Sequence, residues 1–593
     1  MTKNLNLPFL SYLNKILRFA QNDTLGFLDR FLKHMEEAVR AEKLERPKWK
    51  QKRPPVNSRL KSSPLIATGL FLMLGFGIWL LSDAEPVYAG LQETLPTHHW
   101  AYSYIDELRL RGHFGDLFAS NRPFTRGEVA EQLHRLKEQG EETPGCAVFL
   151  DRLNAEFEDE IRQLSENQEG ASQIQMGATL AQDGVARRDE DLKAYGIYRL
   201  EGGYFTDHVA AVDVAKLDRY LKEDPTYQGE NWRGLTAYME QAYLRVRFEN
   251  FQATFGRDFL RWGPGRTGAL LLSDDHKPLD FFSFSYRLRW AKFTYFFSIL
   301  DDYKLNAQEH FETPWTRLVN RFLTAQRLDF NLWGGKLHIG LSEAILFADS
   351  ERTFGLSYFN PLTNYFELVE NEGDGNIFAN VDVRILPFPN LELYGELLID
   401  DYQVDREAPG DLEPNEIGLI LGAELADILG WAPTTLGIEY VRITNRTYNT
   451  LAPWEKFLYR GKCIGYPLGN DFDRWEGMIR HTFPSGFGAA LKVGYLRKGE
   501  GAVEKAFDTP WMLVSSVEEG YSEPFPTGMV AKTWTTGGNL SFQPTRAFRG
   551  MFDAEWGWTQ NADHVRGKRA YSWSCTLGVW WNLRRTWGVG GER

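Results

Sequence analysis

The stretch AYSWSCTLGVWWNL, residues 570–583, decides the fold. Tyr571, Trp573, Cys575, Leu577, Val579, Trp581 and Leu583 form one unbroken apolar and aromatic row, and Ser572, Ser574, Thr576, Gly578 and Asn582 stand between them. A period of two is that of an extended strand, whose successive side chains point to opposite faces. The same period recurs in EQAYLRVRFENF (240–251), where Leu244, Val246 and Phe248 alternate with Arg245, Arg247 and Glu249. In NLELYGELLID (390–400), Leu391, Leu393, Leu397 and Ile399 oppose Glu392, Tyr394, Glu396 and Asp400. A soluble sandwich also buries one face of each strand, but it rarely carries Arg, Glu and Asp through mid-strand on the other. Charges there require water, and the greasy row requires lipid; a cylinder with a wet lumen supplies both.

Related alternation marks residues 193–205, 286–300, 325–348, 378–386, 417–425, 434–444, 475–482, 487–496, 534–542 and 551–559. About 420 residues at roughly 20 to 25 per strand with its loop predict about 16 to 20 strands. Polar stretches at Asp218 to Tyr238, Asp301 to Asn320, Asp401 to Glu416, Asn445 to Arg474 and Arg497 to Lys532 are too long for tight turns and are expected on the extracellular side.

Composition agrees with this reading. Tyr, Phe and Trp make up 14% of the 593 residues, which suits the aromatic girdles of a membrane barrel, or rings that stack on sugars. The net charge is -13, and residues 1–89 carry about 14 basic and 8 acidic side chains, so the remainder is more acidic still, at about -19. That excludes nucleic acid as a partner, because phosphate neutralisation requires a basic surface. Three scattered cysteines, Cys146, Cys463 and Cys575, provide neither a disulfide framework nor a zinc motif.

Three regions follow. Residues 1–89 are expected to be an export signal with an atypical N-terminal extension: PLIATGLFLMLGFGIWLL (64–81) follows a basic stretch, and SDAEPVYAG (82–90) offers cleavage after Ala89. Met35 is the better initiator on this reading. Residues 90–170 are expected to form a helical periplasmic or plug segment. Trp100, Tyr104, Leu108 and Phe114 mark one apolar face, Thr125 and Glu128 make a capping box, and Phe149, Leu153, Phe157 and Ile161 predict a third helix over 148–164. Residues 171–593 are expected to be the barrel, so the fold class is mainly β: a large antiparallel transmembrane β-barrel of about 18 strands.

The stretch FGRDFLRWGPGRTGALLLSDDHKPLDFFSF (255–284) resembles the Wzi-type capsule-assembly family, in its Gly-Arg-Asp strand end, Trp-Gly-Pro-Gly turn, Leu-rich run and Pro-Leu-Asp. GLSYFNPL (355–362), LYGELLIDDYQ (393–403) and GIEYVRITNRTY (437–448) continue the resemblance in order, and LPTHHWAYSYIDELRLRGHFGDLFASNRPFTRGEVAEQL (95–133) resembles that family's opening. More distantly, this opening is similar to an S-layer-homology repeat, in which Arg126 and Glu128 would be wall-binding residues; a capped helix start is the plainer reading. The chain departs from the family at RRTWGVGGER (584–593), which lacks a terminal aromatic.

The resemblance implies an 18-stranded outer-membrane barrel closed by the N-terminal helices and acting in surface attachment or assembly of capsular or exopolysaccharide, bound through extracellular loops. A diffusion porin with a periplasmic wall-associated helical domain is the alternative. The expected partners are polysaccharide and outer-membrane lipid, with the chain a monomer. Arg257, Asp258, Arg261, Trp262, Glu396 and Asp400 are the candidate glycan-binding or lumen network. Arg257 and Asp258 are adjacent on a strand and cannot both enter the lumen without a bulge. On the structural reading, Arg257 and Arg261 pair with lumen carboxylates such as Asp400 or Glu396.

No catalytic residue, metal or cofactor is expected. The sequence contains no Gly-x-Ser-x-Gly elbow, Walker loop or His-Glu-x-x-His helix. Asp274, Asp275 and His276 read as a solvated turn. Asp400 and Asp401 point to opposite faces of a strand and cannot flank one glycosidic bond. Asp374 and Asn376 lack a full calcium loop.

Overall fold

Ser172 stands opposite Val589, and Arg187 opposite Ser574, so the first and last strands of the β region pair along their length and close the wall. The computed structural model describes residues 90–589 apart from 141–144, 166–171, 189, 225–226, 228, 230–235, 307–315, 350–355, 373–374 and 404–406. The export signal expected over residues 1–89 and Asp374 lie outside the described residues.

Eighteen antiparallel strands make the barrel. The first six are β1 (Ser172–Arg187), β2 (Lys193–Phe205), β3 (Val209–Asp218), β4 (Thr236–Phe248), β5 (Phe251–Asp258) and β6 (Leu279–Arg287). The next six are β7 (Ala291–Ile299), β8 (Thr316–Leu332), β9 (Leu337–Asp349), β10 (Asn376–Phe388), β11 (Leu391–Asp401) and β12 (Glu416–Ala426). The last six are β13 (Thr434–Ile443), β14 (Phe472–Thr482), β15 (Phe487–Lys498), β16 (Ala531–Thr545), β17 (Phe548–Gln560) and β18 (Arg569–Val589). Each pairs with its neighbour in sequence, and closure removes every free edge, as a wall in hydrocarbon requires.

The alternation read from the sequence fixes which side faces lipid. Leu577 and Trp581 on β18 are 57% and 54% exposed, and Leu491 on β15, Ile438 on β13 and Leu421 on β12 are also exposed on the outer wall. Arg327, Asp329 and Asp382 point inward and are buried. The spans 286–300 and 325–348 each hold a short turn, at 288–290 and 333–336, between two strands. The loops expected at 218–238 and 301–320 are shorter than read, because β4 begins at Thr236, β8 begins at Thr316, and Tyr303–Asn306 pairs with the start of β8. The final strand runs past Leu583 to Val589.

Helices α1 (Ala101–Leu110), α2 (Arg126–Gln139), α3 (Ala147–Glu156) and α4 (Glu158–Ser165) precede the barrel. Ile105, Leu108, Leu133, Phe149, Leu153 and Phe157 form their common core. The capping box is present: the Glu128 N–H donates to Thr125 Oγ1 at 3.0 Å, and the Thr125 N–H to the Glu128 carboxylate at 2.8 Å. The single helix expected over 148–164 is broken at Phe157. The Arg126 guanidinium lies over the Phe157 ring at 4.7 Å and donates to the Glu156 carbonyl at 3.0 Å, taking an acceptor that a continuous helix would use.

These helices sit at the end of the barrel that carries the short turns. Arg111 pairs with Asp427 at 2.8 Å, and Arg152 donates to the Ser485 carbonyl at 3.1 Å. Arg287 at the foot of β6 pairs with Glu128 at 2.6 Å. The long connections, including 259–278, 444–471 and 499–530, all leave the opposite end.

Candidate functional site

Four consecutive apolar residues, Ala269 to Leu272, are each 0–1% exposed. A surface loop cannot bury four in a row, because side chains pointing in every direction need cover on every side. Residues 259–278 obtain that cover by turning into the lumen instead of arching over it. Leu270, Leu271 and Leu272 pack against Phe281, Phe296, Leu323, Leu346, Phe378 and Leu398 of the wall. Tyr448, Phe457 and Tyr459 of the loop 444–471 close over them. That side of the lumen is thereby a dry core, with roughly 1.5–3 kcal/mol of burial per large side chain.

Trp262 lies at its centre, 1% exposed, edge-on to Phe296 with ring centroids 5.3 Å apart. The Trp262 backbone N–H donates to the Leu272 carbonyl at 2.9 Å. Arg261 and Trp262 pair antiparallel with Arg122 and Asn121, and the Gly263 N–H donates to Ser120 O at 2.9 Å, so the inward loop is joined to the helical segment. Gly263 has φ +130°, and a Cβ there would lie 2.5 Å from Glu396 Oε2, so only glycine fits.

Charge fixes the loop in place. Glu392 on β11 and Glu424 on β12 stand directly opposite each other, an unfavourable pairing unless a cation lies between them. Arg266 supplies it: the guanidinium pairs with Glu424, with Glu392 at 3.2 Å and with Asp106 of α1 at 2.7 Å. The Arg266 backbone N–H donates to Glu439 of β13 at 2.6 Å. Arg384 at 2.8 Å and Arg109 complete the shell of Glu392. Burial alone would raise the Asp106 carboxyl; the guanidiniums of Arg122, Arg266 and Arg384 outweigh it and hold that group well below the ordinary carboxylate range.

The sequence candidates separate in space. Arg257 faces outward from β5 and pairs with Asp280 on β6 at 2.5 Å. Asp258 faces inward, 0% exposed, and accepts from Gln241 at 2.8 Å and from the Phe259 N–H at 2.7 Å. Arg261 pairs with Asp274 at 3.0 Å. Glu396 accepts the Leu270 N–H at 2.9 Å, and Asp400 accepts the Tyr448 N–H at 2.6 Å. The expected pairing of Arg257 and Arg261 with Asp400 or Glu396 is therefore corrected. Strand parity turns Arg257 away from the lumen, and Arg261 finds its carboxylate within its own loop.

Two further readings change. Asp274, Asp275 and His276 do not form a solvated turn: Asp275 is exposed, but His276 is 3% exposed and packs edge-on to Tyr459. Arg126 and Glu128 are occupied internally, by Glu156 and Glu160 and by Thr125 and Arg287 respectively. Among the described residues, no group of three or more His, Cys, Asp and Glu is arranged to hold a metal ion.

Above the core, the loops 444–471 and 499–530 are clamped together. Asp471 accepts from the Gly501 N–H at 2.7 Å and the Thr527 N–H at 2.9 Å. Arg446 pairs with Glu523 at 2.6 Å and Asp508 at 2.7 Å, and its guanidinium lies over Trp511 at 4.7 Å. On this lid Leu513 is 88% exposed and Leu451 70%, and Tyr402, on the connection between β11 and β12, is 55% exposed. The rest of the lumen differs. Thr533, Thr535 and Asn539 of β16, Asp553 and Glu555 of β17, and Ser574 and Thr576 of β18 point inward and remain partly exposed.

Comparison with known proteins agrees with this architecture. The structure of Wzi, an outer membrane protein involved in group 1 capsule assembly in Escherichia coli, superposes with a TM-score of 0.54 at 15% identity, covering 82% of this chain and 99% of that one. The outer membrane protein OpdK of Pseudomonas aeruginosa gives 0.40 at 10% identity, over 70% of this chain and 99% of that one. OccD3 (OpdP) from the same organism gives 0.39 at 8%, over 69% and 91%. No curated protein sequence matches the chain. The family described as "Capsule assembly protein Wzi" matches residues 172–570, from the first strand of the closed wall into the last, and the chain belongs to that family.

Proposed function

We propose that this chain is a closed outer-membrane receptor that takes part in capsule assembly by holding capsular or exopolysaccharide on its extracellular loops, as a monomer and without catalysing a reaction. The observation that carries this reading is the dry core around Trp262: residues 259–278 pack into the lumen and fill that side of it beneath the loop 444–471. Membership of the capsule-assembly family and the likeness to an E. coli barrel described as carbohydrate binding support the choice of glycan. The long loops carry suitable groups. Tyr402 is an exposed ring for a pyranose face, and Asp508, with a side chain 74% exposed, can accept from hydroxyls.

Arg261, Trp262, Glu396 and Asp400 serve this function indirectly, by fixing the inward loop and the lid above it; Arg257 braces the outer rim. The diffusion-porin alternative requires an open path, and the packed loop argues against one.

Affinity electrophoresis of the detergent-purified protein through gels containing purified capsular polysaccharide tests the proposal. Retarded migration that free polysaccharide abolishes is the expected result. Unretarded migration, together with steady currents in planar bilayers, would replace the receptor with the porin.

A further inference from the structure

Residues 356–372 do not stand above the barrel with the other long loops. They lie against its outer wall. Tyr295 on β7 and Ile345 and Phe347 on β9 belong to the outward rows, in register with the exposed positions Tyr286, Leu328 and Leu341, yet they are 0%, 0% and 7% exposed. What covers them is Tyr358, Phe359 and the helix α5 (Tyr365–Glu372). Tyr358 stacks on Phe347 with centroids 4.0 Å apart, and Phe359 lies edge-on to Phe297 at 5.6 Å.

The wall beneath is polar where a lipid-facing wall should be greasy. Thr324 and Gln326 on β8 and Glu343 on β9 point outward at mid-strand, and Gln326 and Glu343 are opposite each other. Unsatisfied, such groups are strongly unfavourable in hydrocarbon. Here each also meets the covering segment, and Thr324 Oγ1 donates in addition to the Phe296 carbonyl of the wall at 3.1 Å. Gln326 Nε2 donates to Glu343 at 2.9 Å and to the Thr363 carbonyl at 2.9 Å, Glu343 accepts the Phe366 N–H at 3.1 Å, and Thr324 Oγ1 lies 3.2 Å from Tyr365 Oη. Tyr295 Oη donates to the Tyr358 carbonyl at 3.5 Å. These polar groups form a latch specific to this segment.

The far side of the segment carries two large apolar side chains beside the exposed polar residues Asn360, Asn364 and Glu367. Leu362 is 83% exposed and Phe366 61%. The pair Leu328 and Leu341, one outward step below Gln326 and Glu343, is uncovered at 36% and 42%, so the segment ends near mid-strand and occupies the half of the wall nearer the long loops. Leu362 and Phe366 are therefore carried on the lipid-facing side of the wall, above the exposed Leu328 and Leu341. We propose that residues 356–372 are a membrane-immersed flap, latched by Thr324, Gln326 and Glu343, whose Leu362 and Phe366 take the acyl chains of outer-leaflet lipid.

The test uses the full-length protein with Cys575→Ser and Leu362→Cys, labelled with an environment-sensitive fluorophore and reconstituted in phosphatidylcholine vesicles. Nitroxide on the lipid acyl chain is expected to quench the label several-fold more than nitroxide on the headgroup or aqueous iodide, matching a label placed by Leu577→Cys. Quenching by iodide and not by acyl nitroxide would overturn the proposal, and so would a label shielded from all three that transfers energy to a second labelled copy. Adding Gln326→Leu and Glu343→Leu makes the wall more apolar, so the barrel still inserts, and should shift the quenching towards iodide. A label that stays in the acyl region in that variant would refute the latch.

Discussion

The sector of wall from β6 to β13 and the sector from β15 through β18 to β1 share one alternation and enclose different interiors. In the first, inward side chains meet Trp262 and Leu270 to Leu272 in a dry core, and every buried charge on Arg266 is matched. In the second, inward residues are mostly small and hydroxylated, and the ion pair Lys492 to Glu555, at 2.7 Å, has side chains 33% and 40% exposed. The difference teaches that alternation determines the outer face of a barrel, whereas the inner face is determined by which loops are sent into it.

Charge removal should separate the two sectors most. Arg266→Ala removes the one cation that Glu392, Glu424 and Asp106 share, leaving them to Arg384, Arg480 and Arg122, and is expected to cost about 3 kcal/mol, read as a lower urea midpoint with early proteolysis of residues 259–278. Lys492→Ala, with water available to Glu555, should cost no more than about 1 kcal/mol. Equal losses would erase the distinction between dry and wet sides.

A smaller contrast sets the two faces of one strand against each other. Leu577→Arg places a charge in lipid and should cost about 2–4 kcal/mol in insertion. Thr576→Arg, the next residue but facing the wet lumen, should be tolerated within about 1 kcal/mol. Refolding into vesicles measures both, and similar values would mean that β18 does not divide lipid from water.

The smallest effect concerns the loop above the dry side. Burial, reinforced by the Asp401 carboxylate, pushes the Glu413 carboxyl up from 4.5 to about 7. Between those values the folded chain binds more protons than the unfolded one, so this group's contribution to stability falls as pH rises through the window and levels off above it. Thermal unfolding followed from pH 5 to pH 8 should show a decline that is shallower in Glu413→Gln; an identical decline would assign the dependence to other groups.

The outer belt was legible because a period of two survives in any one strand, as in residues 570–583; chain length bounded the strands only to about 16 to 20, and 18 was what the family resemblance implied. The inward loop was not, because nothing local distinguishes a turn that arches outward from one that dives. Two signals pointed to it in retrospect: the unbroken run Ala269 to Leu272, which no exposed loop can carry, and the acids Glu392, Glu424 and Glu439 gathered on the inward faces of three adjacent strands, which demand a cation from elsewhere. Arg257 was assigned to the wrong carboxylates because its face depends on where β5 begins, and cross-strand register supplies that information where sequence spacing does not. The flap was read as part of the family resemblance at 355–362 and gave no hint of lying outside the wall.

The short antiparallel pairing of Asn121 and Arg122 with Trp262 and Arg261 joins chain that enters the lumen from outside to chain that belongs to the opposite side of the membrane. Tension applied to the outer loops therefore does not stop at the rim. It passes down the inward loop to α1, through this stitch and through Arg266 to Asp106, so the two ends of the barrel bear a mechanical load together.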